Sequence, residues 1–449
     1  MMSKEFSRRD FLAVGAAAAA GTAILGCAGG QVSATKPTWL DQAPDGRTLR
    51  AGLIGCGGRG TGAAMDFMAA GNGLEVVAVA DVFRDRVDDF NKKLKDEGKP
   101  EIPASARFVG FDAYQKLLAA DIDVVLIATP PHFRPEHFEA AVETKRPIFM
   151  EKPLAVDPVG ARRILAASKR ADALGLIVAC GTQRHHQRDY VECYEYVKAG
   201  AIGDIVAANC YWDQSKLWHK TRQRGWSDME YMVRDWVNWA WLSGDHIVEQ
   251  HIHNIDVINW FAGSRPASAV GYGARHRRVT GDQYDCFSVD YTYENGIHVH
   301  SMCRQINGTH NNVSEWIVGT KGVSNCRNMI KSHDGKVIWE YQYPEPTNGE
   351  QSERRRMSVA VSPYVQEHID MVTAIRTNKP YNEAEVTAIS TLSAVMGRIS
   401  SYTGKEVTWD EMMSSELTLG PSEYSMGKVA IVKGEGKAPI PGDEVDRAS

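Results

Sequence analysis

Leu49-Arg50-Ala51-Gly52-Leu53-Ile54-Gly55-Cys56-Gly57-Gly58-Arg59-Gly60, followed by Leu74-Glu75-Val76-Val77-Ala78-Val79-Ala80-Asp81, is the stretch on which the fold turns. Leu49 to Ile54 reads as a short buried strand, Thr61 to Ala70 as a helix and Leu74 to Ala80 as a second buried strand. In a parallel sheet such a unit crosses over right-handed. The glycines between strand and helix form G-x-G-x-x-G. Gly55 permits the tight turn, Gly57 lets the backbone approach a pyrophosphate, and Gly60 lets helix and strand close on each other. Gly58 and Arg59 complete the loop at the helix N-terminus, whose free N–H groups favour phosphate. Taken alone the motif is weak, because any α/β protein can carry a glycine turn. The flanking elements, and Asp81 about 20 residues on, make it a dinucleotide site in which the carboxylate takes the ribose hydroxyls. A carboxylate repels a 2′-phosphate, so NAD is favoured over NADP, with Arg84 and Arg86 arguing the other way.

Downstream, Asp123 to Thr129 reads as a third strand, Glu136 to Glu143 as a helix and Pro147 to Met150 as a fourth strand. Thr129-Pro130-Pro131-His132 and Glu151-Lys152-Pro153 then fall at strand carboxyl ends, where open α/β sheets bind ligands. With Gly55 to Gly60, Ala128-Thr129-Pro130, Glu151-Lys152-Pro153-Leu154-Ala155 and Gly200-Ala201-Ile202-Gly203, the chain resembles the Gfo/Idh/MocA oxidoreductases from about Leu49 to Gly404. The resemblance implies an α/β Rossmann domain (48–180) followed by an α+β domain with a large, mostly antiparallel open sheet (181–418). It extends the cofactor contacts to Thr129, Pro130, His132, Glu151, Lys152 and Gln183, and maps the family's catalytic lysine onto Lys152. The chain departs from the family after Thr129, where Pro131 and Arg134 stand in place of the usual Asn and later His.

The family's second catalytic element is an Asp with a His four residues later on a helix; here Glu249 and His253 occupy those positions. On one continuous helix they would share a face, with Val248, Ile252 and Ile255 as the apolar stripe behind. Taking hydride from a secondary alcohol needs a base for the hydroxyl proton and a cation for the developing alkoxide. His253 is therefore the expected acid/base, Lys152 the polarising cation, and Glu249 the group that orients His253. A metal is not expected: His251 and His253 are two apart, cannot share a helix face, and no His-Glu-x-x-His is present.

Seven of the eleven tryptophans lie between Trp212 and Trp260. Most are expected in packing, with two or three lining a polar-ligand pocket. Trp212 and Arg234 join Lys152, Glu249 and His253 as the expected substrate contacts, with Asp213, Asp235 and Asn238 as further hydroxyl binders. Cys286 to Thr292 and Ile297 to Cys303 alternate about Glu294-Asn295-Gly296, a hairpin signal. Helices follow over Tyr364 to Arg376 and Glu383 to Ser401.

The 449 residues hold 51 Lys+Arg against 56 Asp+Glu, a net charge of −5, so nothing electrostatic points to nucleic acid. At 43% apolar and 24% charged the composition is globular. The eight cysteines show no paired spacing, and most are expected as small buried hydrophobes. Residues 1–30 read as an export signal: Ser7-Arg8-Arg9-Asp10-Phe11-Leu12 is a twin-arginine pattern ahead of an Ala/Gly-rich run, and Ile24-Leu25-Gly26-Cys27 resembles a lipobox. Cys27 is either acylated, which would be the sole membrane tether, or lost with the signal. A periplasmic or envelope-anchored protein follows, with residues 31–47 as linker and 419–449 as a polar tail. The expected activity is NAD(P)-dependent oxidation or reduction at a ring hydroxyl of a sugar, glycoside or cyclic polyol, by a homodimer or homotetramer with tightly held NAD. Two alternatives stand beside it: a glycosidase or lyase that oxidises C3 transiently with no net redox, and a non-catalytic cofactor-bound binding protein.

Overall fold

The computed structural model describes residue 34, residues 36–344 and 360–429, and residue 441. The twin-arginine and lipobox residues lie outside this range. Six parallel strands form the first sheet: β1 (Leu49–Ile54), β2 (Leu74–Asp81), β3 (Arg107–Val109), β4 (Val124–Ile127), β5 (Ile148–Met150) and β6 (Val178–Cys180), in the order β3-β2-β1-β4-β5-β6. β1, β4, β5 and β6 are buried almost without interruption because helices cover both faces, so they read as apolar runs rather than alternations. The helix Gly58–Ala69 follows β1 directly, and the helix Arg134–Glu143 links β4 to β5.

The second sheet has nine strands: β7 (Ile205–Gln214), β8 (Pro266–Ala274), β9 (Cys286–Tyr293), β10 (His298–Gln305), β11 (Asn312–Gly319), β12 (Gly322–Ser324), β13 (Met329–Ser332), β14 (Val337–Glu340) and β15 (Val407–Thr408). Their order is β14-β13-β12-β11-β7-β10-β9-β8-β15, and every pairing is antiparallel except β7 with β10. The expected hairpin is present, with His298 opposite Thr292. One face packs inward, which gives β9 and β10 their alternating burial.

Two helices tie the halves together. Ala384–Thr403 is buried over most of its length between β8 of the second sheet and the helix Pro158–Ala173 of the first. Pro363–Thr377, assigned by sequence to the second domain, instead sends Ile369, Met371 and Val372 into the core beneath β1 and β2. The chain thus returns to complete the nucleotide-binding layer, and a single cut at residue 180 divides sequence but not packing. Each fully buried aliphatic side chain in such a core contributes about 1.5–3 kcal/mol of transfer free energy. Of the seven described cysteines all are free and six are buried, Cys286 being the partly exposed one.

Candidate active site at the first sheet's carboxyl edge

The glycine turn has the geometry that a pyrophosphate needs. Gly55 takes φ +97°, and a Cβ on Gly60 would sit 1.8 Å from Gly55 O, so the helix can approach the strand this closely only without a side chain there. Nothing lies within 4 Å of a Cβ built on Gly57 or Gly58, which leaves the loop open on the ligand side. Asp81, at the end of β2, accepts from Cys56 N (2.7 Å) and Phe83 N (2.9 Å), so its carboxylate is fixed beside the turn. Burial first, and then these bonds in opposition, leave its pKa raised. Gly55, Gly57, Gly58, Asp81 and Phe83, with Thr129 and Pro130, line a cleft. Open glycine backbone, a helix N-terminus and a fixed carboxylate fit a dinucleotide held by its pyrophosphate and one ribose.

Arg59 turns away from that cleft. Its Nε donates to Glu151 Oε1 (2.5 Å), its other nitrogens reach Asp66 (3.2 Å) and Glu367 (3.5 Å), and Tyr364 covers its guanidinium. Glu151, expected at the cofactor, is thereby a buried anchor for Arg59 just ahead of Lys152. Gln183 Nε2 donates to Tyr364 OH at 3.5 Å, while Gln183 Oε1 is buried without a partner. His132 is not in the cleft wall. It hydrogen-bonds Tyr424 OH (2.7 Å) and packs edge-on to Trp241. His137, not singled out in the sequence, lines the cleft instead and hydrogen-bonds Thr129 Oγ1 (3.1 Å). Arg134 is buried and donates to Pro153 O (2.5 Å), fixing the loop after Lys152.

Lys152 follows β5. Its ammonium donates to the Glu249 main-chain oxygen at 2.6 Å and to Glu249 Oε1 at 3.2 Å, with both side chains about nine-tenths buried. The expected single helix carrying Glu249 and His253 is broken. His246–Glu249 forms one turn, and Ile252–Ala262 starts afresh after Gln250 and His251. In an unbroken helix Glu249 O would accept from His253 N; here His253 N bonds Gln250 O (3.3 Å), and the freed carbonyl takes Lys152. His251 explains the break, because its imidazole is drawn down to Ser301 Oγ on β10 at 2.7 Å. Glu249 therefore does not orient His253: among the described residues its carboxylate pairs with Lys152 and Gln250.

What orients His253 is Trp212 on β7, stacked on it at 5.6 Å between centroids. Burial, then the nearby charges of Lys152 and Arg184, hold the His253 pKa well below the usual histidine range, so the imidazole is neutral. Arg184 stands over the Trp212 ring and pairs with Glu315, which also accepts from Asn254 (2.6 Å) and Tyr190 (3.0 Å). Sequence reasoning passed over Arg184; its position just after the sixth strand was the available signal.

Arg234 is not at this site. It forms a bidentate pair with Asp85 (2.9 and 3.1 Å), covers the Phe83 ring at 3.8 Å and lines the cleft beside Asp81. Asp235 and Asn238 are likewise structural, bonded to each other and to Lys220 N and Trp218 O. Asp213 is buried with Oδ1 unpartnered, and burial raises its pKa. Trp239 and Trp241 are core, while Trp218 and Trp236 line the cleft. No group of three or more His, Cys, Asp or Glu able to hold a metal occurs among the described residues, and no described helix is long and apolar enough to cross a membrane.

Residues 49–180 match the model of an oxidoreductase family with an NAD-binding Rossmann fold, and residues 190–324 match the GFO/IDH/MocA C-terminal domain. The chain belongs to the Gfo/Idh/MocA family. Its first domain is the family's NAD-binding fold. Inositol 2-dehydrogenase 3 of Saccharopolyspora erythraea is 30% identical over 46% of this chain and 56% of its own length. The scyllo-inositol 2-dehydrogenase (NAD(+)) of Bacillus subtilis is 24% identical over 55% of this chain and 63% of its own. The match thus spans little more than half of these curated relatives. In three dimensions, Lactobacillus casei scyllo-inositol dehydrogenase with bound NAD(H) and scyllo-inositol aligns over 81% of this chain and 99% of its own, with TM-score 0.59 and 19% identity. That likeness is one of fold.

Proposed function

We propose that this chain is an NAD-dependent oxidoreductase acting on a ring CH–OH group of a cyclic polyol or sugar. The observation that carries the reading is a desolvated ammonium, Lys152, held by Glu249 beside a neutral, buried imidazole, His253, at the carboxyl edge of an NAD-binding sheet. Similarity to relatives named inositol dehydrogenases supports the substrate class. When bound, NAD would supply the acceptor for the hydride that leaves the carbinol carbon. Lys152 donates a hydrogen bond to the carbinol oxygen and stabilises the negative charge that grows there. His253, neutral, takes the hydroxyl proton, and Trp212 holds its ring plane. Return of hydride and proton runs the same groups in reverse. The relatives compared are dehydrogenases, so the redox-neutral glycosidase reading gains no support from them.

Export by the twin-arginine route, with or without a lipid on Cys27, and assembly as a homodimer or homotetramer complete the proposal. The twin-arginine pattern supports the first, and the broad second sheet supports the second. The function is tested by following NADH absorbance with a panel of inositols, aldoses and glycosides. NADH formation together with a keto product by mass spectrometry supports it; aglycone release without NADH formation would replace it with the glycosidase.

A further inference from the structure

Residues 419–429, the start of the polar tail, pass beside the nucleotide cleft, where Tyr424 joins its lining. Leu419 N donates to Asp157 Oδ2 (2.9 Å). Gly420 then turns with φ +97°, where a Cβ would meet His132 at 2.7 Å and Trp241 at 2.9 Å. The strap can therefore lie this close to both rings only because that position carries no side chain. Tyr424 stacks on Phe111 (5.8 Å, 29°), meets Phe133 edge-on and hydrogen-bonds His132. Gly427 O accepts from Met229 N (3.0 Å), and Val429 is buried in the same cluster as Phe83, Phe133 and Met229.

Met229 belongs to the helix Asp228–Arg234, whose last residue is clamped to Asp85. Strap and helix thus form one roof, fastened to the nucleotide domain at His132 and at Asp85. The cleft's wall on the first-domain side includes Asp81, Phe83 and Phe111; Trp218, Arg234, Trp236 and Tyr424 face them. A dinucleotide whose ribose sits on Asp81 would have its adenosine end enclosed between these walls.

We propose that residues 419–429 are a cofactor-retention strap: Tyr424 closes the adenosine end of the NAD cleft, and its bond to His132 must break before NAD can leave. This rests on the NAD-binding reading of the cleft. The strap thus sets how fast the bound nucleotide exchanges with free NAD.

The test is stopped-flow release of NADH, by its fluorescence, from the full chain and its variants during a chase with excess NAD. Tyr424→Phe removes the latch but keeps the ring and should release NADH about fivefold faster; Tyr424→Ala should do so by about tenfold or more. Glu423→Ala, exposed on the same strap, and a chain ending at Val429 should release at the wild-type rate. Melting temperatures within a few degrees of wild type show that the variants are folded. If both Tyr424 variants bind NADH and release it at the wild-type rate, the strap is overturned and the cofactor reading stands. If the wild-type chain binds no NADH, both fall together.

Discussion

Lys152 matters because its charge is kept where water cannot screen it. A carbonyl and a carboxylate, both from Glu249, replace its hydration. Lys152→Met leaves Glu249 as an uncompensated buried carboxylate and removes the alkoxide's cation. A drop of about 10²–10⁴ in kcat/KM is expected by steady-state NADH assay, together with a lower unfolding midpoint in urea. Glu249→Gln keeps the main-chain acceptor and an amide oxygen, so kcat/KM should fall by about tenfold or less. If the carboxylate instead set the basicity of His253, Glu249→Gln would cost as much as losing the histidine. Some of this residue-level arrangement was visible in the sequence and some was not. Lys152 follows β5 as the strand end indicates, whereas the i, i+4 spacing put His253 on one helix with Glu249 and the chain breaks between them. Arg234 and His132 were misplaced because spacing alone does not tell which wall of a cleft a side chain faces, and both are claimed by partners distant in sequence, Asp85 and Tyr424.

At the scale of elements, the local patterns that decide strands and helices were largely readable. β1 begins and ends at the residues the apolar run indicates, and the hairpin about Glu294-Asn295-Gly296 forms as its turn residues require. The broken helix at Gln250 was not readable, since its cause is a bond between His251 and Ser301, fifty residues apart, and a lysine nearly a hundred residues earlier that captures the freed carbonyl. Nor was the return of Pro363–Thr377 to the first core, which is set by packing against a distant layer. Two expectations belong here. Gly60→Ala forces helix and strand apart at the turn and should abolish NADH binding by fluorescence titration, with an unfolding free energy lowered by about 3 kcal/mol or more. His251→Ala leaves Ser301 buried without its partner and opens a void, which should cost about 2–4 kcal/mol in urea unfolding.

The whole molecule carries a pH signature. Burial holds His132 at about 4, and His137 and His251 at about 3, each below the histidine value of 6.5. Between pH 6.5 and about 4 the unfolded chain binds these protons and the folded chain does not. Their stabilisation is therefore complete above pH 6.5 and is lost as pH falls through this window. Near pH 5 each of the three is expected to cost about 2 kcal/mol of unfolding free energy, read from urea titrations across pH. His186 works the other way: although burial opposes its charge, Glu383 and Asp370 raise its pKa, and its contribution is lost as pH rises through that folded value. The acid-side loss should dominate, with net proton uptake on unfolding.

The central claim is that one carbinol oxygen lies between the Lys152 ammonium and the His253 imidazole, and single-turnover NADH formation from a cyclic polyol tests it most directly. With cofactor saturated, Lys152→Met and His253→Ala should each slow the hydride step by at least about a hundredfold, and the double variant should be little slower than either alone, as for groups acting on one atom. Wild-type rates in either single variant would contradict the account.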